Sequence, residues 1–347
     1  MQDIKSLTLE ELAEVVTSAG EKKFRAAQLY DWLHVKLACG WEEMTNIPKA
    51  LKEKLAADYE FPSLEIVTVL KSESDGTEKF LLRLRDGNVI ESVLMRYEHG
   101  NSVCISSQVG CRMGCNFCAS TIGGRIRDLT AGEMLEQVYA IQRYDAQRVS
   151  NVVVMGTGEP FDNFDNFCRF YEQITNPAGL NISGRNITVS TCGLVPKIRE
   201  LADRSYTLTL AVSLHSPTDE LRRSFMPIAY TYSISQIMEA CDYYFEKTGR
   251  RITFEYSLIN GVNDTPECAL QLVELLRDKN AHVNLIPVNP VKERNYTKTN
   301  NEGVQAFKNL LEKNRINATI RRGMGRDIDA ACGQLRRSYV CSHSDEA

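Results

Sequence analysis

Three cysteines stand in the stretch GCRMGCNFC, at Cys111, Cys115 and Cys118, and no fourth follows closely enough to complete a tetrahedral set. Thiolates at this spacing can hold iron or zinc, and a zinc site would borrow a histidine or a distant cysteine. Placed directly after a strand, at the mouth of a parallel sheet, a CxxxCxxC loop can instead bind three irons of a 4Fe-4S cluster and leave the fourth open. Downstream, MGTGEP (Met155 to Pro160) combines glycines that let backbone carbonyls approach a ligand with an acceptor side chain, which makes Gly158 and Glu159 candidate contacts. Taken alone, the same turn is an ordinary strand-to-helix junction. Three further apolar runs end in polar residues: Ser190 in TVSTCG, Ser213, Leu214 and His215 in AVSLHSP, and Asn289 in IPVNP. Turn chemistry accounts for each separately. Their recurrence at one end of successive strands fits a single pocket. Late in the chain, RRGMGRDIDAACGQL surrounds Cys332 with small residues that let a thiol approach a ligand, although a buried structural cysteine fits the same pattern.

Such a site needs a frame that gathers strand ends. From about Ser102 onward, SVCISSQ, NVVVMG, NITVST, LTLAVSL, RITFEYSLI and HVNLIPV are apolar, β-rich runs separated by helical stretches. Capping boxes at Thr130/Glu133 and Ser233/Gln236, and Thr265 before Pro266, mark helix starts between them. Six near-continuously apolar strands argue an α/β fold with a parallel sheet or partial barrel, helices outside and ligands at the strands' C-terminal ends. Ahead of this core, Thr8/Glu11 makes another capping box, and FRAAQLYDWL and KALKEKLAADY carry helical spacing. LEIVTVLK, KFLLRLR and NVIESVLMR then suggest an antiparallel meander. The expected division is a helical accessory domain over 1–60, a β extension over 61–96, and a core over 97–340.

Composition narrows the class. With 347 residues, 43% hydrophobic and 25% charged, the chain suits one large domain and a smaller one. No apolar run nears the roughly 18 residues of a membrane helix, and the N-terminus lacks the apolar segment of a signal peptide, so the expected location is the cytoplasm with no membrane partner. Eleven cysteines in so long a chain, three of them clustered, favour metal or redox chemistry over a disulfide scaffold. Cys39, Cys168, Cys192, Cys241, Cys268 and Cys341 lack ligand spacing and read as structural. A net charge of -4 gives no global sign of nucleic-acid binding. From Leu311 to Tyr339, however, seven Lys/Arg stand against three Asp/Glu.

The cysteine loop and GTGEP turn, with the core from about Met95, resemble the radical S-adenosylmethionine (SAM) superfamily, in which SAM's amino and carboxylate groups complete the fourth iron. The resemblance implies a radical SAM partial (β/α)6 barrel, one 4Fe-4S cluster on Cys111, Cys115 and Cys118, and SAM held by Gly158, Glu159, Ser190, Ser213, Leu214, His215 and Asn289. More closely, CISSQVGC, CNFCAST, SLHSP and RRGMGRDIDAACGQL resemble the RlmN/Cfr family of RNA adenine methyltransferases, and the likeness extends to the helical unit. MGTGEP departs from that family's usual MGMGEP but keeps Gly158, Glu159 and Pro160. The resemblance implies that Cys332 carries the methyl group, that Cys104 is its redox partner and that Glu91 accepts a proton. Bare sequence would leave Glu91 a solvent-facing strand charge.

The family's target is a poorly nucleophilic adenine carbon, which excludes simple methyl transfer. The implied route methylates Cys332 from one SAM and uses a second to make a radical that activates that methyl group. The adduct with RNA is then released with a transient Cys104–Cys332 disulfide. CAST after the third ligand resembles the C2-methylating branch, which acts on adenine 2503 of 23S rRNA and adenine 37 of some tRNAs. Implied partners are these RNAs and a one-electron reductant such as flavodoxin or ferredoxin, with the enzyme a monomer. Arg321, Arg322, Arg326, Arg336 and Arg337 are candidate phosphate contacts. The alternatives are a C8-methylating Cfr-type enzyme, another radical SAM enzyme and a zinc-containing RNA-binding module.

Overall fold

The computed structural model describes residues 2–289, 291, 293–328 and 333–343. The helical unit forms where its signals lie. Thr8 and Glu11 exchange side-chain and backbone bonds to open α1 (Leu9–Ser18), and α2 (Phe24–His34) and α3 (Lys49–Asp58) follow. Their apolar faces close on a core of their own that includes Leu12, Val16, Leu29, Leu33, Leu51 and Leu55. Two short parallel strands, β1 (Gln2–Asp3) and β2 (Tyr59–Glu60), join the ends of the unit.

The meander β3 (Glu65–Lys71), β4 (Glu78–Arg83) and β5 (Val89–Tyr97) is antiparallel, as its sequence suggests. It is not an appendage, because β5 pairs with β6 (Gly100–Ile105), the first strand of the core. A small hairpin, β7 (Gln108–Gly110) and β8 (Arg125–Asp128), brackets the cysteine loop. Strands and helices then alternate: α4 (Ala131–Asp145), β9 (Val149–Val154), α5 (Phe164–Thr175), β10 (Ile187–Thr191), α6 (Val195–Asp203) and β11 (Thr209–Ser213). The order continues with α7 (Asp219–Phe225), α8 (Ile234–Thr248), β12 (Ile252–Leu258), α9 (Pro266–Leu276), β13 (Ala281–Pro287), α10 (Asn301–Lys313), β14 (Ala318–Ile320) and α11 (Gln334–His343).

The caps read from sequence open α4, α8 and α9. Across the main sheet the strand order is β14-β13-β12-β11-β10-β9-β6-β5-β4-β3. The pairs from β6 to β14 are parallel. Val152, Val189, Leu210, Val212, Val283 and Leu285 are fully buried on these strands, and each contributes about 1.5–3 kcal/mol by leaving water. Parallel order fixes the direction, so every loop after β6, β9, β10, β11, β12 and β13 leaves from the same end. No helix among the described residues is long and apolar enough to cross a membrane.

Candidate functional site

Those loops enclose one cavity of about 270 Å³. Cys111, Cys115 and Cys118 line it after β7, Gly158 and Glu159 after β9, Ser190 from β10, Ser213 and His215 at the end of β11, and Asn289 beyond β13. Leu214 differs from the other expected contacts. Its side chain is fully buried in the main core, and its carbonyl accepts from Arg222 Nε at 3.1 Å.

The cysteine loop is braced by its own backbone. Cys118 N donates to Cys115 O (3.1 Å), and Thr121 Oγ1 donates to the carbonyls of Cys115 (3.1 Å) and Cys118 (2.9 Å). Burial, the largest influence, pushes the Cys111 thiol up to about 12 and raises that of Cys115 as well, so both favour the protonated form until a metal competes for the sulfur. Across the cavity, Gly158 has φ +111°, and a Cβ there would lie 2.7 Å from Gln108 Cβ and Ser107 Oγ. Glu159 is 4% exposed and already occupied: Phe161 N donates to Oε1 at 3.0 Å and Cys192 N to Oε2 at 2.8 Å. Its carboxylate ties β9 to β10, and burial raises its pKa.

His215 adopts φ +57° and its ring stands edge-on to Phe117, centroids 5.0 Å apart. Burial first, then the nearby Arg222 charge, lowers it to about 3, so the ring is neutral near neutral pH. Ser257 N donates to Nδ1 at 2.9 Å, which leaves the proton on Nε2. Ser190 Oγ and Ser213 Oγ lie 3.3 Å apart on neighbouring strands.

A second constellation abuts this one. Glu91 on β5 is 3% exposed, contrary to the surface position its bare sequence suggests, and it pairs with the fully buried Lys79 of β4 at 3.2 Å. Its oxygens also accept from Gly333 N (2.7 Å) and Arg336 N (2.5 Å), at the start of α11. Gly333 has φ +83°, and a Cβ there would come within 2.9 Å of Ser120 N, two residues past Cys118. Cys332 lies outside the described residues. Cys104, buried on β6, pairs in register with Val93 of β5 and Val153 of β9, and packs with Val93, Met95 and Met155, the last of which lines the cavity.

Of the candidate phosphate contacts, Arg321 and Arg322 are exposed and Arg321 reaches the cavity wall. Arg336 is half-buried and its Nε donates to Val89 O at 2.9 Å, while Arg337 pairs with Glu293 at 3.3 Å. Sequence reading missed Glu255, Cys192 and Arg222. Glu255 lines the cavity at 4% exposure, with Asn284 donating to it at 2.9 Å, and its signal is a charge inside the apolar run RITFEYSLI. Cys192 lines the cavity too, at the same strand end as Ser190. Nothing local distinguishes Arg222 from the surface charges of its helix.

The residues fit a cluster with SAM. The thiols of Cys111, Cys115 and Cys118 line one cavity, and among the described residues the buried Thr157 Oγ1, Ser120 Oγ and Arg222 Nη1, next in sequence or by hydrogen bond to its lining, have no hydrogen-bond partner. Among the described residues no group of three or more His, Cys, Asp or Glu is gathered as a single metal ion needs. A 4Fe-4S cluster takes one thiolate on each of three irons, which matches three cysteines lining one cavity.

Comparison with known proteins agrees with this geometry. Residues 105–276 match the model of the radical SAM superfamily, and residues 2–60 match that of the ribosomal RNA large subunit methyltransferase N-terminal domain. The chain is 62% identical over 340 residues to a probable dual-specificity RNA methyltransferase RlmN of Lachnospira eligens, covering 98% of this chain and 97% of that one. It is 54% identical over 342 residues to the protein of the same description from Clostridium perfringens, covering 99% of each. The crystal structure of a radical SAM methyltransferase from Sphaerobacter thermophilus superposes with a TM-score of 0.92 at 42% identity, covering 96% of this chain and 99% of that one.

Proposed function

The chain belongs to the RlmN family of radical SAM RNA methyltransferases, and from that premise we propose that it methylates C2 of adenine 2503 in 23S rRNA and C2 of adenine 37 in some tRNAs, through a methyl group carried on Cys332. When bound, the cluster and SAM supply one-electron cleavage of SAM to an adenosyl radical able to take hydrogen from an S-methyl group. The chain's own residues do the rest. Cys111, Cys115 and Cys118 hold three irons. Gly158 lets the backbone approach SAM, Glu159 fixes the turn, Ser190 and Ser213 face the ribose, and neutral His215 offers Nε2–H as a donor without adding charge beside the sulfonium.

Cys332 takes methyl from one SAM as a nucleophile. Its carbon, having given up one hydrogen, later joins adenine C2 and the ring proton passes to Glu91. The Cys104 thiolate then attacks the Cys332 sulfur to leave a disulfide, the sulfur–methylene bond breaks, the departing methylene takes a proton to become methyl, and the adduct's one unpaired electron would leave to the cluster held by Cys111, Cys115 and Cys118. Cellular reductants return both thiols with two electrons and two protons, and a one-electron donor such as flavodoxin or ferredoxin feeds the cluster, in a monomeric, cytoplasmic enzyme. The observation that carries this reading is the 2.7 Å bond from Gly333 N to Glu91, which ties the residue after Cys332 to the acid, while Gly333 rests on the segment following Cys118. Adenine must be unstacked to reach such a depth, with Arg321 and Arg322 exposed to meet phosphate at the mouth.

The test is reconstituted enzyme, methyl-labelled SAM, and RNA fragments spanning each adenine, followed by mass analysis. Label at C2 of both is expected. Label at C8 would move the chain to the Cfr-type reaction, and none would refute the reading.

A further inference from the structure

Arg222, on α7, is fully buried (0% exposed). Its Nη2 donates to Cys192 O at 2.6 Å and Ser213 O at 3.2 Å, and Nε to Leu214 O at 3.1 Å. Nη1 has no partner. Burial, the largest influence, disfavours its charge; the opposing groups that reach it are first the sulfurs of Cys192 and Cys115, which carry charge only as thiolates, and then Asp219, whose carboxylate accepts from Ile234 N at 2.8 Å. A buried cation held chiefly by carbonyl dipoles is costly.

The helix that carries it is locked to the cysteine loop. Asn116 N donates to Phe225 O at 2.8 Å, and Asn116 Nδ2 to Ser224 O at 3.3 Å. Cys115, Cys192, Phe225 and Met226 pack together as one buried group, and Cys115, Cys192 and Met226 line the cavity. A 4Fe-4S core on three thiolates is anionic, and it gains a further negative charge when an external donor adds one electron. In a low-dielectric site, a fixed cation favours the more negative state.

We infer that Arg222 is the built-in counter-charge of the cluster, a residue that tunes the one-electron step by stabilising the reduced form without touching SAM or RNA. The inference needs the cluster site and not the choice of RNA substrate. Its main readout therefore leaves both SAM and RNA out, with SAM binding measured separately. R222K and R222M holoproteins, matched for iron and sulfide, are titrated with dithionite and followed by electron paramagnetic resonance. At a fixed solution potential the ratio of reduced to oxidised cluster falls about tenfold in R222M, equivalent to 59 mV for one electron, and stays with the parent in R222K.

R222Q, which keeps an amide donor for Cys192 O, carries the same expectation if methionine prevents cluster loading. A neutral variant that titrates with the parent overturns the proposal. So does R222K falling as far as R222M, because the hydrogen bonds rather than the charge would then matter. A SAM Kd that rises in R222Q while the SAM-free potential stays put would make Arg222 a SAM ligand instead, and also overturn it. A parent protein without iron–sulfur signal is a different failure, that of the site itself.

Discussion

Two cations, Lys5 and Arg222, are both fully buried, and the chain treats them differently. At the seam between the helical unit and the core, Lys5 Nζ pairs with Glu136 and donates to Ala38 O at 2.9 Å, and the second Glu136 oxygen is taken by Arg143. Around them Tyr30 donates to Gln173 at 2.6 Å and Thr130 to Asp3 at 2.6 Å. The seam's orphan, His34 Nε2, sits on a ring that burial, helped by the Lys5 charge, lowers to about 3 and keeps neutral. Among the described residues no acid pairs with Arg222; Asp219, whose charge reaches it, is taken by Ile234 N. One region is completed within the chain and works as a joint; the other is completed by what the cavity receives. Substitutions should therefore separate activity from stability along this line.

The largest separation is expected at Cys332→Ala. Removing the group that carries methyl should cut labelled product by about 10⁶-fold, the scale of losing an enzyme's nucleophile, while the thermal midpoint stays with the parent. Methylation that persists in this variant would sink the mechanism.

Glu91 stands between the two regions, since it is saturated like the seam yet adjoins the cavity. Glu91→Gln keeps the shape, but its single oxygen can keep only one of the two bonds from Gly333 N and Arg336 N, and it removes the base and leaves Lys79 without its carboxylate. Product release should slow by about 10³-fold, as for a lost general base. A protein–RNA crosslink should accumulate on denaturing gels. A variant that turns over normally would reduce Glu91 to a loop anchor.

These two sites also differ in how far sequence could reveal them. Cys111, Cys115 and Cys118 fall within eight residues, so spacing alone exposes their chemistry. The strand ends were legible for the same reason: a polar residue closing an apolar run is a local signal, and parallel order does the gathering. The pairing of Glu91 with Lys79 and Gly333 joins three distant segments, and no local pattern announces it. Arg222 was illegible because an arginine in DELRRSF looks like any surface charge until α7 turns it inward. β14 and the β7–β8 hairpin, each strand three or four residues long, carry too few positions for a period to show.

At the seam the expectation reverses. Glu136→Gln leaves Lys5 charged and buried without its carboxylate, which should destabilise the protein by about 3–5 kcal/mol, read in denaturant unfolding. Turnover at low temperature should persist. Replacing both partners, as in Lys5→Met with Glu136→Leu, should recover most of the loss, because a well-packed apolar pair can stand in for a buried ion pair. If the double variant is no better than the single one, the seam is held by charge and not merely filled.

The smallest effect is a dependence on pH at the same joint. Asp3 is 7% exposed and accepts from Lys5 N at 2.8 Å and Ser6 Oγ at 3.1 Å. Burial outweighs these bonds and raises its carboxyl to about 6. Below the ordinary carboxylate range, near pH 4, it is protonated folded and unfolded alike, and the stability it contributes is fully present. Between there and pH 6 only the folded state keeps the proton, and above pH 6 the contribution is lost as the buried group ionises. The shift corresponds to roughly 3 kcal/mol. The unfolding free energy of the parent relative to Asp3→Asn should thus fall by about that amount from pH 4 to pH 7, with the other carboxylates cancelling in the difference. A difference that stays flat or rises with pH would mean that Asp3 is ionised in the folded joint, and that the seam tolerates an anion where only the cavity should.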